Sequence, residues 1–255
     1  MNVFWRCLSA EVLKTRRTIY LLAVFAMPTM LSLFNFLLHV GLTHTEGYYA
    51  TADGWMSFAH NTFTFWAILV LPSLVVLISA FVAHQEHDNK QWRRLMCLGV
   101  PWAPIYLAKS AVVIGLMLLS TILLWAEDIV WGWLIILLRP ELGLSFSTFS
   151  PWHMFMPFGL ICLYCFFIAA IHQWFSLRAN NFVLSIGLGL ALILAGFFLH
   201  DIDVIRIVFP WSLPATVYQA DTLAVLLGGL AYSLAGWAAV TATGCWDFAR
   251  QDVLS

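Results

Sequence analysis

Residues 62–104 read TFTFWAILVLPSLVVLISAFVA followed by HQEHDNKQWRRLMCLGVPWAP. The first part, 62–83, carries no Asp, Glu, Lys or Arg. A helix needs about 20 mostly apolar residues to cross a bilayer, so this run is long enough to span one. The second part, 84–104, is the most charged stretch of the chain, with Glu86, Asp88, Lys90, Arg93 and Arg94 around Trp92 and Leu95. A further apolar run follows it. A short, charged segment between two spans has little chemistry of its own. It can dock on a cytosolic partner and carry a push into the membrane.

The rest of the chain fits that frame. Of its 255 residues, 62% are hydrophobic and 10% charged, against roughly a quarter charged in a soluble domain. The net charge of −1 supplies no global field to recruit nucleic acid. Six runs reach spanning length, near 19–41, 62–83, 104–126, 155–177, 180–199 and 222–245. The expected fold is therefore an all-α integral membrane protein, a single transmembrane domain over 1–255. Pro28 and Pro72 fall inside the first two spans and are expected to kink them.

Lysine and arginine set the orientation. With the N-terminus inside, Arg6, Lys14, Arg16, Arg17, Lys90, Arg93, Arg94, Lys109, Arg178 and Arg250 are cytosolic, and only Arg139 and Arg206 are external. Both termini are then cytosolic and the chain is multi-pass in the cell membrane. No secretory cleavage site precedes the first span, so the N-terminal segment is expected to remain. Residues 2–18 place Val3, Phe4, Cys7, Leu8 and Val12 at helical spacing beside Arg6, Lys14, Arg16 and Arg17, the pattern of an interfacial helix.

Glu127 lies about 23 residues beyond Pro104, roughly 35 Å along a helix. Glu127 and Asp128 are thus expected at the far headgroups, solvated at a helix end, in preference to an intramembrane proton site. The apolar run up to Leu138 is too short to cross and reads as an extension in the outer interface. In the third external loop, 200–221, the centre from Ile205 to Pro214 is broken by prolines. It suits a partly re-entrant or interfacial segment with Trp211 at headgroup depth. Gly187, Ala191 and Ala195, and Ala231, Ala235 and Ala239, form small-residue stripes on which helices can pack closely, within one subunit or between two.

Catalytic signatures are missing. The sequence has no G-x-x-x-x-G-K-[ST], no H-E-x-x-H and no G-x-S-x-G. His84, Glu86 and His87 crowd together, but a hydrated loop explains them better than zinc. Cys162 and Cys165 match C-x-x-C inside an apolar run, where buried thiols are the ordinary reading. A six-helix membrane enzyme or haem-binding redox subunit is the alternative. Its bis-His pair would have to come from His39 with His60 or His200, since His172 sits at the opposite end of its span.

An element E-x-L-K-x-x-R (Glu11, Leu13, Lys14, Arg17) precedes the first span. E-x(5)-W-[KR]-x-L-x(5)-P (Glu86, Trp92, Arg93, Leu95, Pro101) follows the second. Lys109 stands at the start of the third, and F-P-W-S-L-P (Phe209 to Pro214) precedes the sixth. This order resembles the permease subunits of ABC-2-type transporters, particularly those of lantibiotic or bacteriocin immunity and bacitracin resistance. The chain departs from the usual pattern in carrying His-Asp-Asn-Lys between Glu86 and Trp92.

The resemblance implies a permease for a hydrophobic or amphipathic substrate, with antimicrobial peptides as the candidate class. It implies a second permease copy or paralogue and a separate cytosolic ABC ATPase subunit that binds the ATP, with no cofactor in the permease itself. The segment between spans two and three would be the coupling helix. Trp92 and Leu95 would enter an apolar notch on the ATPase, and Glu86, Arg93 and Arg94 would make pairs at its rim.

Overall fold

A computed structural model of the chain describes residues 3–16, 18–41, 46–51, 53–88, 101–179 and 181–250, with the side chains of Glu86, His87 and Asp88 not described. It is all-helical, with no strand among the described residues. Six helical segments are long and apolar enough to cross a membrane.

The N-terminal helix α1 (Val3–Thr15) ends on Lys14, a cation suited to a helix C-terminus. It turns Phe4, Cys7, Leu8, Glu11 and Thr15 toward the bundle and leaves Trp5, Val12 and Leu13 outside. Helix α2 (Ile19–Gly41) has Pro28 in its interior on the buried side. Next comes one continuous span, Gly54–Gln85. It runs through α3 (Gly54–Phe65), a π-helical turn (Trp66–Val70) and most of α4 (Leu71–Asp88). The π turn sits just upstream of Pro72, which has no N–H to close the ordinary bond to the carbonyl four residues earlier. A widened turn absorbs that gap.

Helix α5 (Trp102–Leu138) runs unbroken for 37 residues, roughly 55 Å. It passes straight through Glu127 and Asp128 rather than ending near them. At its far end Arg139 donates to the carbonyl of Val40, beside the end of α2. Asp128 is buried within the bundle and Glu127 is half-buried against α2, so neither stands at a helix end. Side-chain polarity lowers the hydropathy of this stretch, but the backbone ladder is indifferent to it.

Helix α6 (Pro151–Arg178) starts on a Ser150 cap that accepts from the His153 N–H, with Pro151 at the first helical position. It is the central helix, packing against α4, α5 and α10 (Leu223–Phe248). Helix α7 (Phe182–Leu199) is capped by Asn181, whose side chain accepts from Val183 and Leu184. The core lies between α3–α4, α5 and α6, where Trp66, Leu71, Leu74, Ile78, Val113, Met117, Phe158 and Ile161 have essentially no exposed surface. By contrast, only 33%, 22% and 11% of the residues in the most apolar windows of α2, α7 and α10 are buried. These helices have a second face that no described residue covers.

The loops after α2 and α5 are sewn together. Gly47 and Tyr49 donate backbone N–H groups to the carbonyls of Glu141 and Leu142, both at 2.7 Å. Gly143 has φ +80°, and a Cβ there would stand 2.8 Å from that of Ala50, so the crossing requires glycine. Arg139 also pairs with Glu141, and the guanidinium bond holds the Glu141 carboxyl below its ordinary pKa.

Residues 200–221 fold back against the bundle as α8 (Asp203–Val208), a 3-10 turn (Leu213–Ala215) and α9 (Thr216–Gln219). Trp211, expected at headgroup depth, is buried and donates its indole N–H to His172 Nε2 at 3.2 Å. Its backbone carbonyl lies so close to α7 that a Cβ on Gly196 would meet it at 2.8 Å.

Candidate functional site

Of the coupling residues, Trp92, Arg93, Arg94 and Leu95 lie outside the described residues. Glu86 falls within α4, but its side chain lies outside them too. The structure does describe the ground on either side of that segment. One point gathers three elements: Lys109 of α5 donates to the Glu11 carboxylate of α1 at 3.0 Å and to the Val82 carbonyl of α4 at 3.1 Å. Lys109 is completely buried and the Glu11 side chain is nearly so. Lys14 also bonds Glu11, at 2.6 Å. An ammonium group can be buried only with such partners, since a charge left without them in an apolar interior is very costly.

The same end of the bundle is tied further. Ser110 donates to the side-chain oxygen of Gln173 at 2.7 Å, and the Gln173 amide donates to the Tyr106 carbonyl at 3.1 Å, joining α5 to α6. Trp102 and Tyr106 lay their rings against Phe248 of α10. Arg178 and Trp174 both donate to Asp247. The elements that lead into and out of 89–100 are thus fastened to α1, α6 and α10. Apart from the i,i+3 pair of Glu11 and Lys14, none of these bonds is readable from spacing, although Glu11 and Lys109 are each singled out by the motifs.

Two adjoining open grooves, of about 360 and 400 Å³, run along the side of α2 that meets α4. Met27 and Met30 line both, with Tyr20 and Phe81 at one end and Phe34 and Leu69 at the other. Their walls are apolar and methionine-rich, a surface that adapts to varied apolar shapes.

A polar seam crosses the opposite side of α2. Glu127 accepts from Thr29 at 2.6 Å and from Ser32 at 2.9 Å, and Trp131 donates to Ser32 at 3.2 Å. Farther along α2, Asn35 donates to the Phe58 carbonyl at 3.1 Å and bonds His39, which also meets the Tyr49 hydroxyl.

The histidines weighed for haem turn to different partners. His39 faces Asn35 and Tyr49. His60 lies against Phe63 and Tyr218, and His200 bonds the Phe197 carbonyl. Cys162 and Cys165 are both buried as free thiols in α6. Among the described residues no group of three or more His, Cys, Asp and Glu could hold a metal ion.

Six apolar helices around a buried core make this a multi-pass membrane protein. A family model described as an ABC-2 family transporter protein matches residues 7–196, and the chain belongs to that family. It is a membrane permease of an ABC transporter, a transport component and not an enzyme by itself. Membership implies pairing with an ABC ATPase. No curated protein and no solved structure matches the chain.

Proposed function

We propose that the chain is the permease of an exporter moving a hydrophobic or amphipathic substrate, with antimicrobial peptides as the candidate class. A cytosolic ATPase pair drives it by gripping residues 84–104. Trp92 and Leu95 supply the anchor, and Glu86, Arg93 and Arg94 the polar rim. The observation that carries this reading is the Lys109 junction. A segment pushed from below moves α4 and α5 at its two ends, and Lys109 ties both to α1 through Val82 and Glu11. A docking event there would shift three elements together.

Two permeases would meet through the under-covered helices α2 and α7. Gly187 and Ala191 lie on the exposed side of α7, and Ala231, Ala235 and Ala239 on the exposed side of α10. The sequence stripes therefore remain available for another copy or paralogue, or for lipid. The methionine-lined grooves along α2 would then open toward the space between the two permeases and receive the substrate. The preponderance of Lys and Arg on one side supports a cell-membrane assembly with both termini cytosolic.

Purification of the tagged chain from native membranes tests the scheme. The eluate is expected to contain a P-loop polypeptide and to hydrolyse ATP. Trp92→Ala combined with Arg93→Glu is expected to remove both while leaving the permease in the membrane. Undiminished capture by the double variant overturns the docking assignment. So does labelling of residues 84–104 by an impermeant reagent in intact cells.

A further inference from the structure

Asp128 has no exposed surface. Its Oδ1 lies 3.4 Å from the Thr62 hydroxyl of α3, a long contact, and its Oδ2 has no hydrogen-bond partner among the described residues. An ionised carboxylate has about four lone-pair sites to satisfy. This one is offered a single weak donor.

The neighbouring acid fixes the depth. Glu127 is held by Thr29 and Ser32, which stand near the middle of α2. They lie roughly 14–20 Å from either end of that helix, and the hydrocarbon core is about 30 Å thick. Asp128 therefore belongs to the membrane interior, where a bare charge is expensive and an ionisable side chain marks a site.

The surroundings do not neutralise it. Among the described residues the charge that acts on Asp128 is Glu127, of the same sign. On α2, His39 is engaged by Asn35 and Tyr49. On α3, His60 turns to Phe63 and Tyr218. On α6, the Tyr164 hydroxyl donates to the Leu226 carbonyl, His172 accepts from Trp211 and Arg178 pairs with Asp247. On α1, Glu11 and Lys14 join Lys109 at the far end of α5. The basic groups of α4 begin only at His84, and Asp247 on α10 is taken by Arg178. A hard metal ion is a poor fit, since calcium or magnesium takes about six or more oxygens and among the described residues only Thr62 meets Asp128 here.

We propose that Asp128 is a proton-binding site within the membrane. Its carboxylate takes up a proton, –COO⁻ + H⁺ giving –COOH, and shares the acid hydroxyl with Thr62. The proton leaves when the seam between α3 and α5 admits water. The π turn that begins at Trp66, one turn beyond Thr62, is where the span that carries Thr62 is least regular. Such turns recur at functional positions. The site requires only that α5 crosses a membrane, and it stands whether or not residues 84–104 grip an ATPase.

The test uses the full chain in membranes, with whatever ATPase accompanies it. Dicyclohexylcarbodiimide attacks protonated carboxyl groups in apolar surroundings, and peptide mapping locates the adduct. Infrared difference spectra across a pH titration read the protonated-carboxyl C=O band. The expected result is a band that fades reversibly as pH rises, persists in Glu127→Gln and is lost in Asp128→Asn, with the adduct on Asp128 following the same pattern. A band that responds to pH supports the site even where the reagent does not reach it. Absence of the band overturns the proposal, as does a band that does not change with pH or one lost in Glu127→Gln alone. Should Asp128→Asn fail to fold, the adduct position and the spectrum in wild type and Glu127→Gln still decide.

Discussion

The Lys109 ammonium lies 3.0 Å from the Glu11 carboxylate, 98 positions away in sequence and with no exposed surface of its own. Removing one side of a buried pair costs about 3–5 kcal/mol, because the other charge is left behind. Replacing both by apolar residues of similar volume is often close to neutral. Glu11→Leu is expected to be the harsher single change, since it takes the carboxylate away from Lys109. After Lys109→Met, by contrast, Glu11 keeps Lys14. The double substitution should recover most of the loss in thermal stability in detergent. Strictly additive losses would show that the two residues act independently. If the junction also transmits the ATPase stroke, the double variant will fold but lose ATP-dependent transport.

Trp211 offers a second check, on the folded-back segment 200–221. Its indole N–H meets His172 Nε2, and the two rings lie edge to face at 5.3 Å. Trp211→Phe keeps an aromatic ring and removes the donor, leaving a buried imidazole nitrogen unsatisfied. That loss is worth about 1–3 kcal/mol. The melting temperature should fall, and proteolysis of residues 200–221 should quicken. If Trp211→Phe melts like wild type, the hydrogen bond contributes nothing and the segment is held by packing alone.

These two contacts show what the sequence could and could not reveal. Six spanning helices follow from hydropathy, because each is set by the composition of a contiguous run. Glu11, Lys109 and Trp211 were all visible as motif residues, but their partners come from distant helices and no spacing rule connects them. The acids of α5 were misplaced for a related reason. Glu127 and Asp128 break the hydropathy of the run, whereas Thr29, Ser32 and Thr62, which receive them, are small polar residues in otherwise ordinary spans. Trp211 was assigned by the habit of tryptophan at headgroups, and the burial of Ser212 to Thr216 around it overrides that habit.

Arg178 and Asp247 provide the contrast to the buried pair. They tie α6 to α10, with Trp174 donating to the same carboxylate at 3.0 Å. Both side chains keep contact with solvent, at 51% and 22%. Exposed pairs are typically worth about 0–1 kcal/mol and are screened by salt. Asp247→Asn should therefore lower stability only slightly, and less at high ionic strength than at low. A loss as large as that for Glu11→Leu would mean that this corner is shielded from water in the assembled transporter, for example by a partner subunit.

The small residues of α7 divide into two sets that behave oppositely on substitution. The visible stripe of Gly187, Ala191 and Ala195 keeps mostly to the open side, and a Cβ on Gly187 would touch nothing within 4 Å. The close approaches belong to Gly189 and Gly196. At Gly189 a Cβ would stand 2.4 and 2.7 Å from the two methyls of Val76 and 2.9 Å from the His172 ring. At Gly196 it would stand 2.8 Å from the Trp211 carbonyl, and backbone cannot move aside so readily. Overpacking of this kind costs about 1–3 kcal/mol. Gly196→Ala is expected to lower the melting temperature and to expose residues 200–221 to protease. In the isolated permease Gly187→Ala should be neutral or slightly stabilising, because it replaces the residue least suited to a helix interior. Bulkier changes separate the roles further. Gly187→Leu should spare the fold of one chain yet weaken the pairing of two permeases, read as a shift from dimer to monomer in detergent. If Gly187→Leu leaves the dimer intact while Gly196→Ala leaves the protein fully stable, then the open face of α7 meets lipid, and the fit of Trp211 against Gly196 is not what holds the folded-back segment.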